Sequence, residues 1–243
     1  MKFIGIDLAW TYKNETGLCI INDSGKIEYF ESAVYSDDDI VEIIKRHCGD
    51  DTMYIGIDAP LIVNNEKGSR AAEREFMRYK IHGHHLSLFV ASRGFLIRNF
   101  GVIRGEVLMN KIMNAIPAVK STSTFDKERS VIVETFPSGI CLGLFPELYP
   151  IKYKVKSKIP YEETKHQMMR LLEKIRPLGV EVEVFDKKNH KHVEDKVDAF
   201  LCAYGLYSVY TERAVIKVFG CEEEGFFVIP IIKCKNTNNC KTF

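Results

Sequence analysis

Residues 2–10, KFIGIDLAW, share their core with residues 52–60, TMYIGIDAP. Each stretch runs through apolar residues and then reaches an aspartate, Asp7 in the first and Asp58 in the second. Apolar runs of this kind predict buried β-strands. A single aspartate after a strand is often only a turn residue or a helix cap. Two of them together predict a pair of rigid strands that place carboxylates at one edge of a sheet.

The remaining periodicity predicts an α/β fold, a mixed sheet of five strands with helices on both faces. The strands fall in residues 2–10, 16–23, 26–34, 52–60 and 130–139, and helices are predicted in residues 36–49, 161–179 and 192–210. Residues 64–120 are expected to form a basic helical insert after the fourth strand. We expect one domain over residues 1–243, with a polar, frayed tail at residues 234–243.

The composition is that of an ordinary globular protein. The 243 residues are 46% hydrophobic and 28% charged, and the formal net charge of +1 argues against a surface coated in positive charge. The seven cysteines form no CxxC pair, which disfavours a zinc ribbon or a thioredoxin-like site. No apolar run reaches 18 residues, and the N-terminus lacks the pattern of a secretory signal. We expect a cytoplasmic protein with reduced thiols and no membrane contact.

Carboxylates occupy four places in this predicted fold. Asp7 and Asp58 end the first and fourth strands, Glu134 lies near the end of the fifth, and Asp195 and Asp198 lie three residues apart on the last helix. If these strands are neighbours, their acids converge at one edge, and residues three apart on a helix share a face. Crowded carboxylates repel one another unless a cation joins them. Short, rigidly held carboxylates suit Mg²⁺ or Mn²⁺, so Asp7, Asp58, Asp195 and Asp198 are predicted metal ligands.

Six stretches together resemble one known family. They are FIGIDLAW (3–10), YIGIDAPL (54–61), KGSRAAEREF (67–76), VETFPSG (133–139), DKVDAFLCAY (195–204) and GFFVIPI (225–231). In this order they are similar to the family catalogued as domain of unknown function 429, described as predicted nucleases with an RNase H-like fold. The start of DKVDAFLCAY is also similar to the last helix of RuvC-type Holliday junction resolvases. The resemblance covers nearly the whole chain.

This resemblance implies a five-stranded mixed sheet with the first strand central, flanked by the second and fourth. It also implies that Asp7, Asp58, Asp195 and Asp198 occupy the acidic metal-site positions. Glu134 matches a recurrent family position. From the residues alone, Asp195 could instead be a helix-terminal acid that interacts with the helix dipole, and Glu134 could pair with a basic residue of the insert.

The insert is rich in positive charge. Arg70, Arg74 and Arg78 recur every four residues and would form one positive stripe on a helix, suited to bind phosphates. Other basic residues of the insert that could line the same groove are Lys67, Lys80, Arg93, Arg98 and Arg104, and the aromatic residues that could stack on bases are Phe76, Tyr79 and Phe95. The alternative is a solvated helix face on which glutamates pair with the arginines. A second basic run at residues 151–158, IKYKVKSK, predicts an edge strand or flap.

These patterns predict a divalent-metal-dependent nuclease that hydrolyses phosphodiester bonds through a two-metal site, with Mg²⁺ or Mn²⁺ as cofactor and DNA or RNA as partner. The predicted catalytic residues are Asp7, Asp58, Glu134, Asp195 and Asp198, and the predicted substrate-binding residues are Arg70, Arg74 and Arg78. The alternative is an RNase H-like module that binds nucleic acid or protein without cleavage. A phosphotransferase is disfavoured because no small Gly-Ser/Thr turn follows Asp7. The sequence leaves open DNA versus RNA, endo versus exo action and the oligomeric state.

Overall fold

The computed structural model describes residues 1–233, so the predicted frayed tail at residues 234–243 lies outside the described residues. The strands are β1 (Lys2–Asp7), β2 (Thr16–Asn22), β3 (Ile27–Ala33), β4 (Met53–Ile57), β5 (Val119–Ser121), β6 (Ser130–Thr135), β7 (Ala214–Cys221) and β8 (Gly225–Ile232). The helices are α1 (Asp37–Cys48), α2 (Ala71–Arg78), α3 (Arg93–Phe100), α4 (Arg104–Ala115), α5 (Pro137–Leu144), α6 (Tyr161–Ile175) and α7 (His190–Tyr210). Within residues 1–233, no helix has the length and apolar character needed to cross a membrane.

The strands join in one mixed sheet. Its order is β3-β2-β1-β4-β6-β8-β7, and β5 pairs with the first half of β6. β1 is antiparallel to β2 and parallel to β4, which is in turn parallel to β6. The expected position of β1 between β2 and β4 is confirmed. The prediction of five strands is wrong, because the described chain has eight: the β7–β8 hairpin extends the sheet beyond β6, and β5 adds a short parallel pairing.

Helices cover both faces of the sheet, and the two-residue period of each strand decides which side chain meets which layer. Phe3 of β1 and Tyr54 of β4 pack in the cluster that contains α5, α6 and α7. Ile4 packs in the other cluster, which contains α1 and α4. Residues two and four positions after Phe3 and Tyr54 share their face. The strands therefore present Asp7 and Asp58 on the side that α7 covers.

Glycine lets α7 lie directly on β1 and β2. A methyl group added at Gly5 would lie 1.9 Å from the carbonyl oxygen of Ala199, and one added at Gly17 would lie 1.9 Å from that of Asp195. Such close backbone approach excludes any side chain at these two positions. Gly17 pairs with Asp7 across β1 and β2, so the first turns of α7 are held beside Asp7.

Two stretches differ from the predicted structure. The predicted strand at residues 130–139 is too long, because β6 ends at Thr135 and α5 begins at Pro137, a residue well suited to the first turn of a helix. Residues 151–158 form no strand and run as a loop along the start of α7. The segment 64–120 contains α2, α3 and α4 and ends in β5, which belongs to the sheet.

Candidate metal centre

Three of the predicted ligands meet at the carboxyl edge of the sheet. Carboxylate oxygens of Asp7, Asp58 and Asp198 all lie within 4.8 Å of one another. Asp7 ends β1, and Asp58 directly follows β4, where its backbone N–H donates to the carbonyl of Ile6 at 2.8 Å. Asp198 is fully buried on α7. Each carboxylate of this trio is therefore carried by an element with a fixed backbone.

Burial and crowding raise the pKa of two members of the trio, Asp7 and Asp58. Burial is the main cause of the raised pKa of Asp7, and the charges of Asp198 and Asp58 raise that pKa further. Burial is also the main cause that raises the pKa of Asp58 to about 7, against the opposing effect of Lys154. A bound divalent cation would remove the repulsion among these carboxylates.

A loop residue brings a positive charge into the trio. Lys154 Nζ lies 2.5 Å from Asp198 Oδ2 and 4.0 Å from Asp58 Oδ2. Burial lowers the pKa of Lys154, but Asp198, Asp58 and Asp7 together outweigh burial and hold that pKa well above its ordinary value. Lys154 is therefore charged at neutral pH and offsets one of the three carboxylates.

The loop that carries Lys154 is fastened to α7 by three hydrogen bonds. The Tyr153 hydroxyl donates to Asp198 Oδ1 at 2.6 Å, and the buried His190 donates from Nε2 to the Tyr153 carbonyl at 2.8 Å. The Val155 N–H donates to Glu194 Oε2 at 3.3 Å. Burial, reinforced by the charge of Asp198, raises the pKa of Tyr153 well above its ordinary value, so the phenol remains a donor. Asp198 thus has a tyrosine on one oxygen and a lysine on the other.

The fourth predicted ligand, Asp195, lies beside the trio. Lys191 Nζ lies 2.6 Å from Asp195 Oδ1 and 2.8 Å from Glu194 Oε1. Burial raises the pKa of Asp195 and Lys191 lowers it. Lys191 therefore balances the charge of Asp195, and the role of Asp195 as a metal ligand stays a prediction.

Glu134 lies near the trio but on the opposite face of the sheet. It pairs with Ile57 in the register of β6 and β4, and Ile57 packs in the cluster of α1 and α4. Arg70 donates to the two Glu134 oxygens at 2.7 and 2.6 Å, and the Leu61 N–H donates to Oε2 at 3.1 Å. Burial raises the pKa of Glu134, whereas Arg70 lowers it. The structure therefore places Glu134 in a buried ion pair with the insert, and its catalytic role stays a prediction.

A family model matches most of the chain. The model described as Protein of unknown function (DUF429) matches residues 5–218. The chain belongs to this family. The DUF429 region begins in β1 and ends within β7, so it contains Asp7, Asp58, Asp198 and the loop that carries Lys154. No curated protein and no solved structure matches the chain.

The arginine stripe predicted for this DUF429 protein is divided. Arg70 is 4% exposed, precedes α2 and binds Glu73 at 2.9 Å as well as Glu134. The expectation that Arg70 lies on an exposed stripe is therefore wrong, because two buried glutamates hold its guanidinium. Arg74 and Arg78 are exposed on α2 and remain available for contact with phosphates.

Three other residues of the DUF429 insert that the sequence offered for nucleic-acid contact, Arg104, Arg93 and Phe76, make contacts within the protein. Arg104 is 3% exposed and lies 3.0 Å from Asp37 Oδ1, and it also donates to backbone carbonyls of the loop after β1. Arg93 binds Glu106 at 2.7 Å, and Phe76 is 1% exposed in the core. Of the three aromatic residues proposed for stacking, Phe95 is the most exposed, at 41%.

Sequence reasoning did not assign three residues of the DUF429 site, Tyr153, Lys154 and Lys191. The alternation in IKYKVKSK predicted an edge strand exposed to solvent. It gave no sign that this segment contacts α7, which lies about forty residues later in the chain. Lys191 did have a signal in the sequence, because it precedes Asp195 by four residues and such a pair lies on one helix face.

Two cavities open beside Asp7. The first, which we name the aromatic cavity, has a volume of about 230 Å³ and is lined by Asp7, Asp58, Lys154, the Arg70–Glu134 pair and apolar side chains that include Trp10, Leu88, Phe89, Phe136 and Phe227. The second, the lysine cavity, has a volume of about 610 Å³ and is lined by Asp7, Trp10, Glu15, Asp195, His192 and three lysines, Lys13, Lys188 and Lys191. A ligand in either cavity can therefore reach Asp7.

The donor set of this DUF429 centre fits Mg²⁺ or Mn²⁺. Asp7, Asp58 and Asp198 offer hard carboxylate oxygens that are already within 4.8 Å of one another. Cations of this kind keep several waters and take few protein ligands, so three carboxylates beside an open cavity suffice. These three residues could hold a divalent cation, and Asp195 lines the neighbouring cavity with Asp7.

Proposed function

We propose that this DUF429 protein is a divalent-metal-dependent nuclease with an RNase H-like fold. The observation that carries the proposal is the trio Asp7, Asp58 and Asp198, whose oxygens converge within 4.8 Å beside an open cavity. Buried carboxylates that lie close together, with too few positive charges to neutralise them, destabilise the folded protein. Such arrangements are found most often at functional sites. Hydrolysis of a phosphodiester is the chemistry that a cation held in this way suits best.

The sheet supports the RNase H-like assignment. β1 is central, with antiparallel β2 on one side and parallel β4 on the other, as that fold requires. The acids stand at the ends of β1 and β4 and on the last long helix, α7. The additional strands lie beyond β6 and do not disturb this central part.

In the proposed site, Asp7, Asp58 and Asp198 would hold Mg²⁺ or Mn²⁺. When bound, these ions supply water activation and stabilise the departing oxygen of the phosphodiester. Tyr153 fixes the orientation of Asp198 through its hydrogen bond at 2.6 Å. Lys154 supplies a positive charge at the wall of the aromatic cavity, where a phosphate oxygen of DNA or RNA would enter. Arg74 and Arg78 contact the nucleic-acid backbone farther from the centre.

One observation favours a second candidate, a binding module without catalysis. Lys154 already lies among the carboxylates, so the protein partly neutralises the trio with its own cation. In such a module the acids would be structural, and a divalent cation would not bind. Cation affinity is therefore the property that separates the two functions.

Calorimetric titration of Mn²⁺ into metal-free protein tests the proposal. We expect saturable binding to the wild type and its loss in Asp58→Asn, a substitution that keeps the size of the side chain. Asp38→Asn is the matched control, because Asp38 lies on α1 with its side chain 75% exposed. We expect this control to bind Mn²⁺ as the wild type does.

A nuclease assay completes the test. Single-stranded and duplex DNA and RNA are incubated with Mg²⁺ or Mn²⁺, and we expect cleavage of at least one of them by the wild type and by Asp38→Asn, but not by Asp58→Asn. The nuclease is refuted if no substrate is cleaved and Asp58→Asn does not change Mn²⁺ binding. If Mn²⁺ binds to none of the three proteins, the binding module remains.

A further inference from the structure

Four aromatic residues form a cluster at the mouth of the proposed site. Trp10 follows β1 and stacks on Phe100 with ring centroids 5.2 Å apart and planes 16° apart. Phe89 contacts Trp10 at 5.1 Å and Phe95 at 5.4 Å. Trp10 thus has one aromatic neighbour in α3 and another in the loop before α3.

This aromatic cluster remains open to solvent. Phe89 is 49% exposed and Phe95 is 41% exposed, and the adjacent Val90 and Ile97 are 38% and 45% exposed. Scattered apolar residues on a surface need no explanation, but a contiguous group beside a polar centre marks a binding surface. The cluster therefore has the properties expected of a ligand contact.

The position of the cluster identifies what it faces. Trp10 and Phe89 line the aromatic cavity together with Asp7, Asp58 and Lys154. A ligand in this cavity consequently meets flat apolar rings at one wall and charged groups at another. A nucleotide has this combination of parts, a planar base joined to a phosphate.

The lysine cavity also borders Trp10. It carries Lys13, Lys188 and Lys191, although Glu15 and Asp195 also line it and Glu15 binds His192 at 2.7 Å. The two cavities share Asp7, Leu8 and Trp10. A chain of nucleotides could therefore pass from the aromatic cavity across Asp7 to the lysines, which suit the phosphates of the next residues.

We propose that Phe89 and Trp10 bind the base next to the phosphate that is cleaved, and that the substrate is consequently an unpaired strand or strand end rather than a continuous duplex. A base that stacks on Phe89 cannot stay stacked and paired in a double helix. This inference rests on the proposed function, because the phosphate is placed at the Asp7–Asp58–Asp198 trio. It adds the class of substrate and the residues that select it.

The protein carries a built-in probe for this contact, because Trp10 is the single tryptophan of the chain. Its fluorescence is recorded while adenosine 5′-monophosphate is added in the presence of Mg²⁺, and ribose 5-phosphate serves as the matched ligand without a base. We expect saturable quenching by adenosine 5′-monophosphate and none by ribose 5-phosphate. Loss of one base–aromatic stack in Phe89→Leu should weaken nucleotide binding about tenfold. Phe89→Trp, studied by calorimetry, should retain binding because the ring face is kept.

Val215→Ala is the matched control for Phe89→Leu. Val215 is also 49% exposed, lies on β7 and lines neither cavity, so its substitution should leave nucleotide binding unchanged. Cleavage assays with one sequence, single-stranded or annealed to its complement, should favour the single strand in the wild type, and Phe89→Leu should reduce this preference.

The outcomes separate this inference from the proposed function. Base binding at Phe89 is overturned if adenosine 5′-monophosphate and ribose 5-phosphate quench the fluorescence equally, or if Phe89→Leu binds the nucleotide as tightly as the wild type does. The nuclease is judged separately, and loss of cleavage in Asp58→Asn would still support it. Self-association of the wild type that Phe89→Leu abolishes, in sedimentation experiments without nucleotide, would also overturn base binding at Phe89, because the cluster would then be a contact between copies. Base binding with cleavage unaffected by Asp58→Asn would instead refute the nuclease and keep the base site.

Discussion

Replacement of Asp58 by asparagine should change the stability of the protein in opposite directions with and without metal. Burial raises the pKa of Asp58 from an ordinary value of 3.8 to about 7 in the metal-free protein. Between about pH 4 and pH 7 the unfolded chain therefore loses this proton while the folded protein keeps it. The unfolded state binds fewer protons in this range, so the free energy of unfolding falls as the pH rises and becomes level above pH 7.

The size of the effect follows from the shift. A shift of about three units corresponds to about 4 kcal/mol at 1.36 kcal/mol per unit, which is an upper limit. The Asp58 side chain keeps 24% of its exposure, and water there reduces the effect, so we expect about 2 kcal/mol. Asparagine resembles the protonated carboxyl group and does not titrate. At pH 8 in EDTA, Asp58→Asn should therefore be more stable than the wild type by about 2 kcal/mol, and near pH 4 the two should be alike.

Metal should reverse this order. A cation at one hundred times its dissociation constant stabilises the folded wild type by about 2.7 kcal/mol, and Asp58→Asn should not gain this stabilisation. Urea unfolding followed by circular dichroism, at pH 4 to 9 with EDTA or with Mg²⁺, measures both effects. Asp38→Asn serves as the control because its exposed side chain lies on α1. The reasoning is refuted if Asp58→Asn is less stable than the wild type at pH 8 in EDTA, with a pH profile parallel to that of the wild type.

Three further substitutions test how the site is built. Lys154→Met removes a charge that lowers the pKa of Asp58, so the free energy of unfolding of the metal-free protein should keep falling to higher pH. At pH 8 we expect a loss of about 2 kcal/mol, measured by urea unfolding. An unchanged pH profile would contradict this. Arg70→Met leaves Glu134 buried without its partner and should lower the free energy of unfolding by about 3–5 kcal/mol. The affinity for Mn²⁺, measured by calorimetry, should stay within about threefold of the wild type. A larger loss of affinity would indicate that Glu134 takes part in metal binding. Gly5→Ala places a methyl group 1.9 Å from a backbone oxygen of α7, so both the melting temperature and the affinity for Mn²⁺ should fall. A melting temperature equal to that of the wild type would show that α7 lies farther from β1.

The parts of the fold that local pattern controls could be predicted from the sequence. The apolar runs around Asp7 and Asp58 are buried parallel strands, and their aspartates lie at the same edge because parallel strands end together. The β7–β8 hairpin was not predicted. Pro230 lies inside β8, and proline within an apolar run argues against a strand, although here it is accommodated opposite Ile216 of β7.

The orientation of Glu134 could not be predicted, for a physical reason. β6 is buried on both faces, so its side chains show no alternation of polar and apolar residues from which a face could be assigned. The register with β4 pairs Glu134 with Ile57 and turns it away from α7. Likewise, Lys154 belongs to a loop whose place beside Asp198 depends on tertiary contacts with α7.

The charge balance of the centre gives a single physical origin to the cost of the metal-free state and to the proposed affinity for metal. Two lysines, Lys154 and Lys191, face five carboxylates, which are Asp7, Asp58, Asp195, Asp198 and Glu194. The protein cannot relax this excess by moving the acids apart, because glycine contacts fix α7 on β1 and β2. Two routes remain, uptake of protons or uptake of cations. At neutral pH a divalent cation would relieve the repulsion without protonating the ligands. The rigidity that makes the metal-free centre costly would therefore also favour binding of the proposed ion.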